Sequence, residues 1–510
     1  MLAHINTLLI TGIEASPVIV EVDIQNGLPN FEIVGLASTA IKEARERVRA
    51  AIKNSGFDFP NRKIIVNLSP ADMKKEGSHF DLAIAVGILL ASEQIVNNTS
   101  KDLFITGELS LDGTVRKIPG ILPMALELAK INNPDICFVV PYDNSLEAGL
   151  VSEISSKQVK SLTEMCEYLE ASLELDEVPI FNYDRKSLVN DNYDFADVKG
   201  QESAKRALQI AAAGLHNILL IGPPGGGKTM LARRMPSIMP EMDREEILET
   251  MRIYSVANLL NPDNPLINSR PFRAPHKNAS SASIIGGGRI PRPGEITLAQ
   301  NGILFLDELP EFNRDVLEAL RQPLEDKVVT VARTHSTYTF PANFSLVASM
   351  NPCPCGFFGS DKECNCTPLQ ISRYINRVSG PLLDRIDIQV EVGRVNYDQL
   401  TDKATNESSA TIKEKVEIAR TMQAKRFKNS NIKLNSEMRP KEVKKYCQID
   451  DKSEQLLKTA FEKFTMSARA YDRILKIART IADLEESPDI RLPHIAESLK
   501  YRTLDKKYWG

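Results

Sequence analysis

The chain has 510 residues, too many for one hydrophobic core, and at about 150 residues per domain its length predicts three units. Hydrophobic residues make up 42% and charged residues 25%, a balance that is ordinary for a soluble globular protein. The net charge of −4 excludes a general attraction to nucleic acid, so any contact with DNA must come from local basic elements.

The sequence indicates neither a membrane span nor a secretory leader. Its longest apolar run, Leu82 to Ala91, is too short to cross a bilayer, and the first twenty residues lack the basic start and apolar core of a signal peptide. Seven cysteines, four of them between positions 353 and 366, fit a reducing compartment better than a disulfide framework. We therefore expect a cytoplasmic protein that does not bind membranes.

Residues 1–175 alternate strand and helix signals. The segments ASPVIVEVDI and KIIVNLSP are typical of strands, whereas TAIKEARERVRAAIKNSG has helical spacing and ends at Gly56. These patterns predict a compact α+β domain. Residues 176–195 belong to an acidic, aromatic and aperiodic stretch, which we interpret as a linker.

A glycine-rich segment, GPPGGGKT, occupies positions 222–229. Its glycines allow the backbone N–H groups to point at phosphates, at the positive N-terminal end of the following helix. Lys228 is then expected to reach the β- and γ-phosphates, and Thr229 to ligate Mg²⁺. The candidate nucleotide-binding residues are Gly222, Pro223, Pro224, Gly225, Gly226, Gly227, Lys228 and Thr229.

About eighty residues later, the segment ILFLDE ends on Asp307 and Glu308. Its four apolar residues predict a buried parallel strand that delivers Asp307 to the metal and Glu308 to the attacking water. A P-loop-like octapeptide alone recurs by chance, as does an acidic strand end. The two at this distance predict a site that binds ATP and Mg²⁺ and hydrolyses the nucleotide.

Local basic elements are the candidate DNA contacts. One is the glycine-containing loop 270–292, and another is a hairpin in which VVTVAR and STYTF form strands joined at Thr334 and His335. A third is KRFKNSNIKLNSEMRPKEVKK, for which a solvated charged face is the competing interpretation. The candidate side chains in the first two elements are Arg273, Lys277, Arg289, Arg292, Lys327, Arg333 and Tyr338.

Three further residues are expected to act around the γ-phosphate. The strand FSLVASMNP ends in Asn351, whose side chain can position the lytic water. Arg385 in SGPLLDRID offers a permanently charged fork that can neutralise the transferring phosphoryl group, and from a neighbouring subunit it would make hydrolysis depend on assembly. Arg469, at the start of SARAYDRILKIAR, is a candidate reporter of the γ-phosphate to the helical domain. The alternative for either arginine is a surface ion pair of little consequence.

The segment NPCPCGFFGSDKECNCTP spaces four cysteines as two C-x-C pairs. Four thiolates suffice to close a tetrahedral zinc site, and such an aperiodic stretch would fold poorly without a link. Free thiols and a redox-formed disulfide stay open as alternatives, because C-x-C is tighter than the usual C-x₂-C. The candidate zinc ligands are Cys353, Cys355, Cys364 and Cys366.

After position 395 the sequence becomes helical and charged. The segments KEKVEIARTMQAKRFKN, SEQLLKTAFEKF and ARAYDRILKIARTIADLEES are helix candidates. We therefore assign residues 196–395 to the ATPase core and residues 396–510 to a C-terminal helical domain.

The order DVKGQE, GPPGGGKT, ILFLDE, ASMNP, GPLLDRID and SARAYDR resembles AAA+ ATPases of the magnesium-chelatase-like group, in particular the YifB/ComM family of competence-associated proteins. The resemblance implies an α/β AAA+ P-loop core with a C-terminal helical lid. It also implies a homo-hexameric ring with ATP between subunits, and helicase-like branch migration of DNA joint molecules during natural transformation. One departure is Lys277, where the family leads us to expect a second histidine after His276.

The N-terminal domain is similar to the protease domain of Lon, a ribosomal S5 domain 2-like fold, in TGELSLDGTVRKIPGIL and SPADMKKEGSHFDLAIAVGIL. Lon proteases pair a serine with a lysine that takes its proton. Here His79 falls at the serine position and Leu122 at the lysine position. The resemblance therefore implies a catalytically inactive scaffold, and a rearranged dyad of Ser78 with Lys75 or Lys117 is the alternative.

Three functions stay open at this point. The first is an ATP-driven ring motor on single-stranded or branched DNA. The second is a chelatase-like ATPase that remodels a protein partner during metal insertion, and the third is an ATP-dependent Lon-like protease. The Lon-like domain favours the motor, because we would not expect such a domain in the ATPase subunit of magnesium chelatase.

Overall fold

The structure is a computed structural model that describes residues 2–36, 38–180, 193–288, 291–333, 336–395, 406–464, 466–502, 504 and 508. The chain divides into two compact units. The first comprises Met1–Arg185 with Ile247–Ile267, and the second comprises Lys186–Glu246 with Asn268–Gly510. The first unit therefore includes a segment that the domain boundaries inferred from the sequence do not anticipate. Most of the expected linker, residues 181–192, lies outside the described residues.

The first unit is built on a mixed β-sheet. In its described part, seven strands form one sheet in the order β3-β4-β2-β1-β5-β8-β9, and β6 pairs with β7 as a separate ribbon. Strands β1, β2 and β4 are antiparallel neighbours, whereas the remaining neighbours in the sheet are parallel. The strands are β1 (Leu2–Thr11), β2 (Glu14–Gln25), β3 (Asn30–Val34), β4 (Lys63–Ser69), β5 (Asp102–Ile105), β6 (Glu108–Leu109), β7 (Val115–Arg116), β8 (Ile136–Pro141) and β9 (Ser155–Val159).

A buried apolar helix, Asp81–Ala91, forms the centre of this unit and packs against β1 and β2. The longest apolar run of the sequence is therefore a core helix. The strands predicted from ASPVIVEVDI and KIIVNLSP are confirmed as β2 and β4, and the predicted helix before Gly56 is confirmed as Thr39–Asn54. The other helices of the unit are Ile121–Ile131, Ser145–Ala148 and Leu162–Leu169, with a 3-10 turn at Tyr142–Asn144.

The second unit contains a parallel sheet in the order β11-β14-β17-β10-β18, flanked by the separate hairpins β12-β13 and β15-β16. Its central strands are apolar and buried, as expected for a parallel sheet covered on both faces. This mixed α/β arrangement is consistent with a P-loop fold of the AAA+ type. The strands are β10 (Ile218–Ile221), β11 (Phe272–Arg273), β12 (Gly286–Gly287), β13 (Arg292–Pro293), β14 (Ile303–Leu306), β15 (Val328–Arg333), β16 (Ser336–Pro341), β17 (Ser345–Met350) and β18 (Ile388–Glu391).

Helices pack against this sheet, and in the described part of the chain further helices follow as far as Lys500. Arg244–Val256 crosses the division between the units. The remaining helices before position 396 are Glu202–Gly214, Lys228–Ile238, Ser281–Ile285, Glu295–Leu298, Arg314–Ala319, Arg321–Asp326, Pro368–Ile375 and Gly380–Leu383. 3-10 turns occur at Phe195–Asp197, Leu309–Glu311 and Asn435–Glu437.

The helical character predicted for the C-terminal region is confirmed. Ser408 and Ser467 cap two of its helices by accepting hydrogen bonds from backbone N–H groups of the first turn. The helices are Ser409–Arg426, Pro440–Tyr446, Asp451–Phe464, Ala468–Leu484 and Leu492–Lys500. Within the described residues, no helix has both the length and the apolar character required to cross a membrane.

Candidate nucleotide site and cysteine cluster

The glycine-rich segment 222–229 joins the end of β10 to the helix Lys228–Ile238. Gly227, which precedes the helix, has a φ of 86° in the left-handed region that glycine tolerates best. At Gly222 a Cβ would lie 2.0 Å from the carbonyl oxygen of Val392, so a side chain would force the loop away from the end of β18. The loop therefore adopts its compact form because glycine occupies both positions.

Lys228 is enclosed by the loop that it terminates. Its Nζ donates to the carbonyl oxygens of Gly222 at 2.7 Å and Pro223 at 3.0 Å, and to Asn351 Oδ1 at 3.1 Å. Burial lowers the pKa of Lys228, while the charges of Asp307 and Glu308 oppose the shift. The structure thus brings Lys228 and Asn351 into direct contact. Both were predicted as site residues, and they lie far apart in the sequence.

A carboxylate lies next to the P-loop hydroxyl. Thr229 Oγ1 donates to Asp307 Oδ2 at 2.9 Å. Ser349, buried in the neighbouring strand β17, donates to the other oxygen of Asp307 and accepts a 3.3 Å hydrogen bond from the Glu308 N–H. Sequence reasoning missed Ser349, although a serine two residues before Asn351 in an otherwise largely apolar strand was an available signal.

Glu308 has a left-handed backbone, with φ of 55°, and forms an ion pair through its side chain. Lys277 Nζ lies 2.6 Å from Glu308 Oε2, and the two side chains are 38% and 47% exposed. The hydrogen bond and charge of Glu308 raise the pKa of Lys277. Lys277 was predicted as a DNA contact, and its pairing with Glu308 was not anticipated.

Gln201, within the DVKGQE motif, supports the P-loop from the outside. Its Nε2 donates to the carbonyl oxygens of Gly393 at 2.7 Å and Gly226 at 3.2 Å. The side chain therefore links the P-loop to the residues that follow β18. The motif was recognised in the sequence, but this role of Gln201 was not.

The two candidate arginines lie elsewhere in the unit. Arg385 donates to the carbonyl oxygen of Pro381 at 2.7 Å and forms an ion pair with Glu325. Arg469 is exposed on the helix Ala468–Leu484. Among the described residues, neither arginine makes a hydrogen bond or ion pair with the P-loop of its own chain.

The four clustered cysteines converge in space. Their sulfur atoms all lie within 4.8 Å of one another, and three of the separations are 3.3, 3.6 and 3.7 Å. A tetrahedral zinc site with Zn–S bonds of about 2.3 Å places its sulfurs about 3.8 Å apart, so the cluster fits this metal. None of the four forms a disulfide, and a backbone hydrogen bond from Phe357 lowers the pKa of Cys355 to about 6.

The cysteine cluster adjoins the nucleotide site. Cys353 lies two residues after Asn351, the acceptor for Lys228. A Cβ on Gly356 would lie 2.5 Å from Pro224 Cδ, so the cysteine loop and the P-loop are in close contact. Ordering of the cysteine loop is therefore expected to influence both Asn351 and the P-loop.

The residues predicted to contact DNA differ in their exposure and in the contacts that they make within the chain. Arg273 makes a two-point ion pair with Glu295 at 2.7 and 2.8 Å, whereas Arg292 is exposed on the β12-β13 hairpin. Lys327 lies at the base of the β15-β16 hairpin, where burial lowers its pKa, and Tyr338 faces Val331 across the hairpin. Arg289, Thr334, His335 and the side chain of Arg333 lie outside the described residues.

The residues at and near the positions of the Lon serine–lysine dyad do not form such a dyad. Ser78 Oγ donates to Glu108, and His79 and Leu122 are buried. Lys75 is fully buried, and its amine has no hydrogen-bond partner in the described structure. No serine–lysine hydrogen bond is formed at these positions among the described residues.

Three family models match the chain in succession. Residues 194–400 match "Magnesium chelatase, subunit ChlI", residues 20–144 match "Subunit ChlI of Mg-chelatase", and residues 406–502 match "Magnesium chelatase, subunit ChlI C-terminal". The matches thus include most of both units.

Individual relatives extend this result. A protein named YifB from Salmonella typhimurium is 44% identical over 512 residues, covering 99% of this chain and 98% of that protein. Competence protein ComM from Haemophilus influenzae is 44% identical over 500 residues, covering 97% and 96%. The archaeal Lon protease of Methanothermobacter thermautotrophicus is 42% identical over only 72 residues, or 14% of this chain and 10% of that protein.

Proposed function

Because this chain belongs to the magnesium-chelatase-like family that includes the YifB and ComM proteins, we propose that it is an AAA+ ATPase. The observation that carries the proposal is the 2.9 Å hydrogen bond from Thr229 to Asp307 beside the Lys228 amine. A P-loop hydroxyl and a strand-end carboxylate are the protein groups that hold Mg²⁺ in such sites. Bound there, Mg²⁺ would neutralise charge on the phosphates.

Each residue of the site then has its own role in ATP binding or hydrolysis. The P-loop N–H groups and Lys228 bind the phosphates, and the amine exchanges the carbonyl oxygens of Gly222 and Pro223 for phosphate oxygens. Glu308 accepts the proton of the attacking water, and Asn351 orients that water. Asp307 would hold Mg²⁺ together with Thr229, oriented by its hydrogen bond from Ser349.

Assembly into a homo-hexameric ring is part of this proposal. Arg385 is held by Glu325 and Pro381, away from hydrogen-bonding contact with its own P-loop. From a neighbouring subunit, its guanidinium would neutralise the γ-phosphoryl group of an ATP bound between subunits. Arg469 would report the γ-phosphate to the C-terminal helices.

The substrate that we propose is DNA, single-stranded or branched. The chain would act as a helicase-type motor in branch migration of recombination intermediates, in the cytoplasm, during competence. The name of the ComM relative supports the competence role. Exposed Arg292 on the β12-β13 hairpin and Tyr338 on the β15-β16 hairpin supply local contacts for phosphate and base in a chain whose net charge is −4.

A structural zinc ion held by Cys353, Cys355, Cys364 and Cys366 completes the proposed cofactors. Sulfur separations of 3.3–3.7 Å among Cys353, Cys355 and Cys364 support it, as does the convergence of all four sulfurs within 4.8 Å, because a tetrahedral thiolate site requires sulfurs this close together. The metal would fix the loop that contacts Pro224 and carries Asn351 at its start.

The N-terminal domain is proposed to be a Lon-like scaffold without peptidase activity. Ser78 donates to Glu108 and not to a lysine, so the serine–lysine pair on which Lon proteases depend is not formed here. The domain would therefore serve docking or assembly.

A chelatase-like ATPase that remodels a protein partner is the second candidate. The family models named for a magnesium-chelatase subunit favour it. This activity requires the same ATP site, so the two candidates differ in their macromolecular partner and not in the chemistry of Glu308.

Two substitutions test the ATPase proposal. Lys228→Ala should weaken ATP binding, because it removes the P-loop amine, whereas Glu308→Gln should bind ATP and fail to hydrolyse it. Binding of a fluorescent ATP analogue and phosphate release would be measured on both, with Lys458→Ala, an exposed lysine on the helix Asp451–Phe464, as control. Unchanged phosphate release from Glu308→Gln would refute the proposal.

A further inference from the structure

The backbone that carries Arg385 is fixed at three successive residues. The side-chain amide of Asn217 donates to the carbonyl oxygen of Arg385 at 2.9 Å. Arg502 Nη1 donates to the carbonyl oxygen of Ile386 at 2.8 Å. The N–H of Asp387 donates to the carbonyl oxygen of Asn217 at 3.0 Å. The direction in which the Arg385 side chain leaves the backbone therefore depends on these contacts.

The carboxylate of Asp387 joins this segment to two other elements. Its Oδ2 accepts from the Asn217 N–H at 3.2 Å and lies 3.5 Å from His216 Nδ1. Its Oδ1 lies 3.4 Å from Arg473 Nε, and both side chains of this ion pair are largely buried, at 14% and 15% exposed. Asn217 and His216 precede β10, whereas Arg473 belongs to the helix Ala468–Leu484. Loss of the carboxylate would leave the shielded Arg473 cation without this partner.

The same helix is held at a second place. His216 Nε2 and Thr480 Oγ1 are 2.8 Å apart, two helical turns beyond Arg473, and both side chains are buried. Buried polar groups that satisfy one another in this way hold the elements that carry them in one arrangement. The helix and the segment that carries Arg385 are therefore expected to keep a fixed relationship through Asp387.

We propose that Asp387 is a positioning residue that holds Arg385 in the orientation from which its guanidinium reaches the ATP of a neighbouring subunit. The proposal rests on the ATPase function and on the role of Arg385 proposed above. Asp387 would act only through Arg385 and would not contact the nucleotide. Its loss would impair the face of the subunit that presents Arg385. The face that carries the P-loop and Glu308 would stay competent.

The experiment measures ATP binding and phosphate release by Asp387→Asn, which removes the charge and keeps the shape of the side chain. ATP binding should be unchanged, and kcat should fall about tenfold to hundredfold. Rings mixed with Glu308→Gln subunits should regain part of the activity, because some interfaces would hold a correctly oriented Arg385 opposite an intact Glu308. Rings mixed with Arg385→Ala subunits should stay inactive, because both subunits are defective on the same face.

Two further variants separate positioning from general destabilisation. Asp483→Asn removes another buried carboxylate of the helix Ala468–Leu484, which pairs with Arg426 and Arg479. At a temperature where both proteins are folded, it should keep the wild-type kcat. Arg473→Gln breaks the contact with Asp387 from the helix and should show the same one-sided defect. It provides the test if Asp387→Asn does not fold.

An unchanged kcat for Asp387→Asn, weaker ATP binding, or an equal loss of kcat in Asp483→Asn would overturn the proposal. So would failure to regain activity with Glu308→Gln subunits when Arg385→Ala does regain it. If Arg385→Ala also fails to regain activity, the role of Arg385 is wrong. If wild type releases no more phosphate than Glu308→Gln, the ATPase function itself fails, so the three failures are distinguishable.

Discussion

Ser349 is buried in the strand next to that of Asp307 and donates its hydroxyl hydrogen to Asp307, so a second strand orients the candidate metal ligand. The same serine accepts the N–H of Glu308 at 3.3 Å. One side chain therefore positions both members of the acidic pair.

Ser349→Ala should lower kcat without abolishing ATP binding, because it frees Asp307 to rotate. A hydrogen bond to a charged group contributes about 1.5–3 kcal/mol, which corresponds to about a tenfold to hundredfold loss of rate. Ser345→Ala is the matched control, since Ser345 is buried in the same strand but donates to the carbonyl oxygen of His216 at 3.1 Å. Equal rates for the two variants would show that Ser349 does not orient Asp307.

Removal of the zinc ligands should affect metal content and hydrolysis together. Purified protein should carry about one zinc ion per chain, and Cys364→Ala with Cys366→Ala should lose it. Because the cysteine loop contacts Pro224, the double variant should also hydrolyse ATP more slowly. Cys447→Ala, a buried cysteine outside the cluster, is the control for general thiol loss. Metal analysis that finds no zinc in freshly purified, reduced wild type would end the zinc hypothesis.

Acidification should destabilise the first unit through His79. Burial lowers the pKa of His79 from 6.5 to about 4, so the folded unit keeps this ring neutral. Its contribution to stability is complete above pH 6.5 and is lost as the pH falls towards 4, when the unfolded chain binds the proton more readily. The pKa change corresponds to about 3 kcal/mol.

Hydrogen exchange of the helix Asp81–Ala91, corrected for intrinsic rates, would measure this effect at pH 7.5 and pH 5. Burial raises the pKa of Asp81, the first residue of this helix, to about 6, and this carboxyl stabilises the folded unit as the pH falls, opposite to His79. The test is therefore the difference between proteins: between pH 7.5 and pH 5, wild type should lose more protection, or gain less, than His79→Gln. His4→Gln should keep the wild-type pH dependence, since the His4 side chain is 54% exposed. Identical pH dependence in all three proteins would contradict the assignment to His79.

Arg385 can be tested by mixing subunits. Arg385→Ala should bind ATP and lose hydrolysis by a factor of about 10³ if the arginine acts on the transferring phosphoryl group. Combining Arg385→Ala subunits with Glu308→Gln subunits should restore part of the activity, because some interfaces would hold both intact residues. Glu325→Gln removes only the ion-pair partner of Arg385 and should keep hydrolysis. Mixed rings with confirmed exchange that stay inactive would indicate a structural role for Arg385.

Local sequence predicted the elements that depend on local patterns. The segments ILFLDE and FSLVASMNP predicted β14 and β17, and the glycine spacing predicted the loop before Lys228; β10 was not singled out. The parallel pairing of these strands brings Asp307 and Asn351 to one edge of the sheet, as the carboxyl ends of parallel strands require.

Contacts between distant positions could not be predicted in the same way. Lys277 pairs with Glu308, and Gln201 donates to Gly393, although each pair is far apart in the sequence; β11 lies beside β14, and β10 beside β18. The segment Ile247–Ile267 belongs to the first unit, where Ser255 donates to the buried Glu147 at 2.5 Å. Helical periodicity indicates a buried face but not which core covers it, so this assignment required the three-dimensional structure.

The rate of ATP hydrolysis with and without DNA tests most directly whether the chain is a DNA-dependent motor. Phosphate release by wild type and Glu308→Gln would be measured alone, with single-stranded DNA and with a four-way junction. We expect hydrolysis that requires Glu308 and that DNA, above all the junction, stimulates severalfold. Hydrolysis that requires Glu308 but does not respond to either DNA would contradict the motor and favour a chelatase-like ATPase acting on a protein partner.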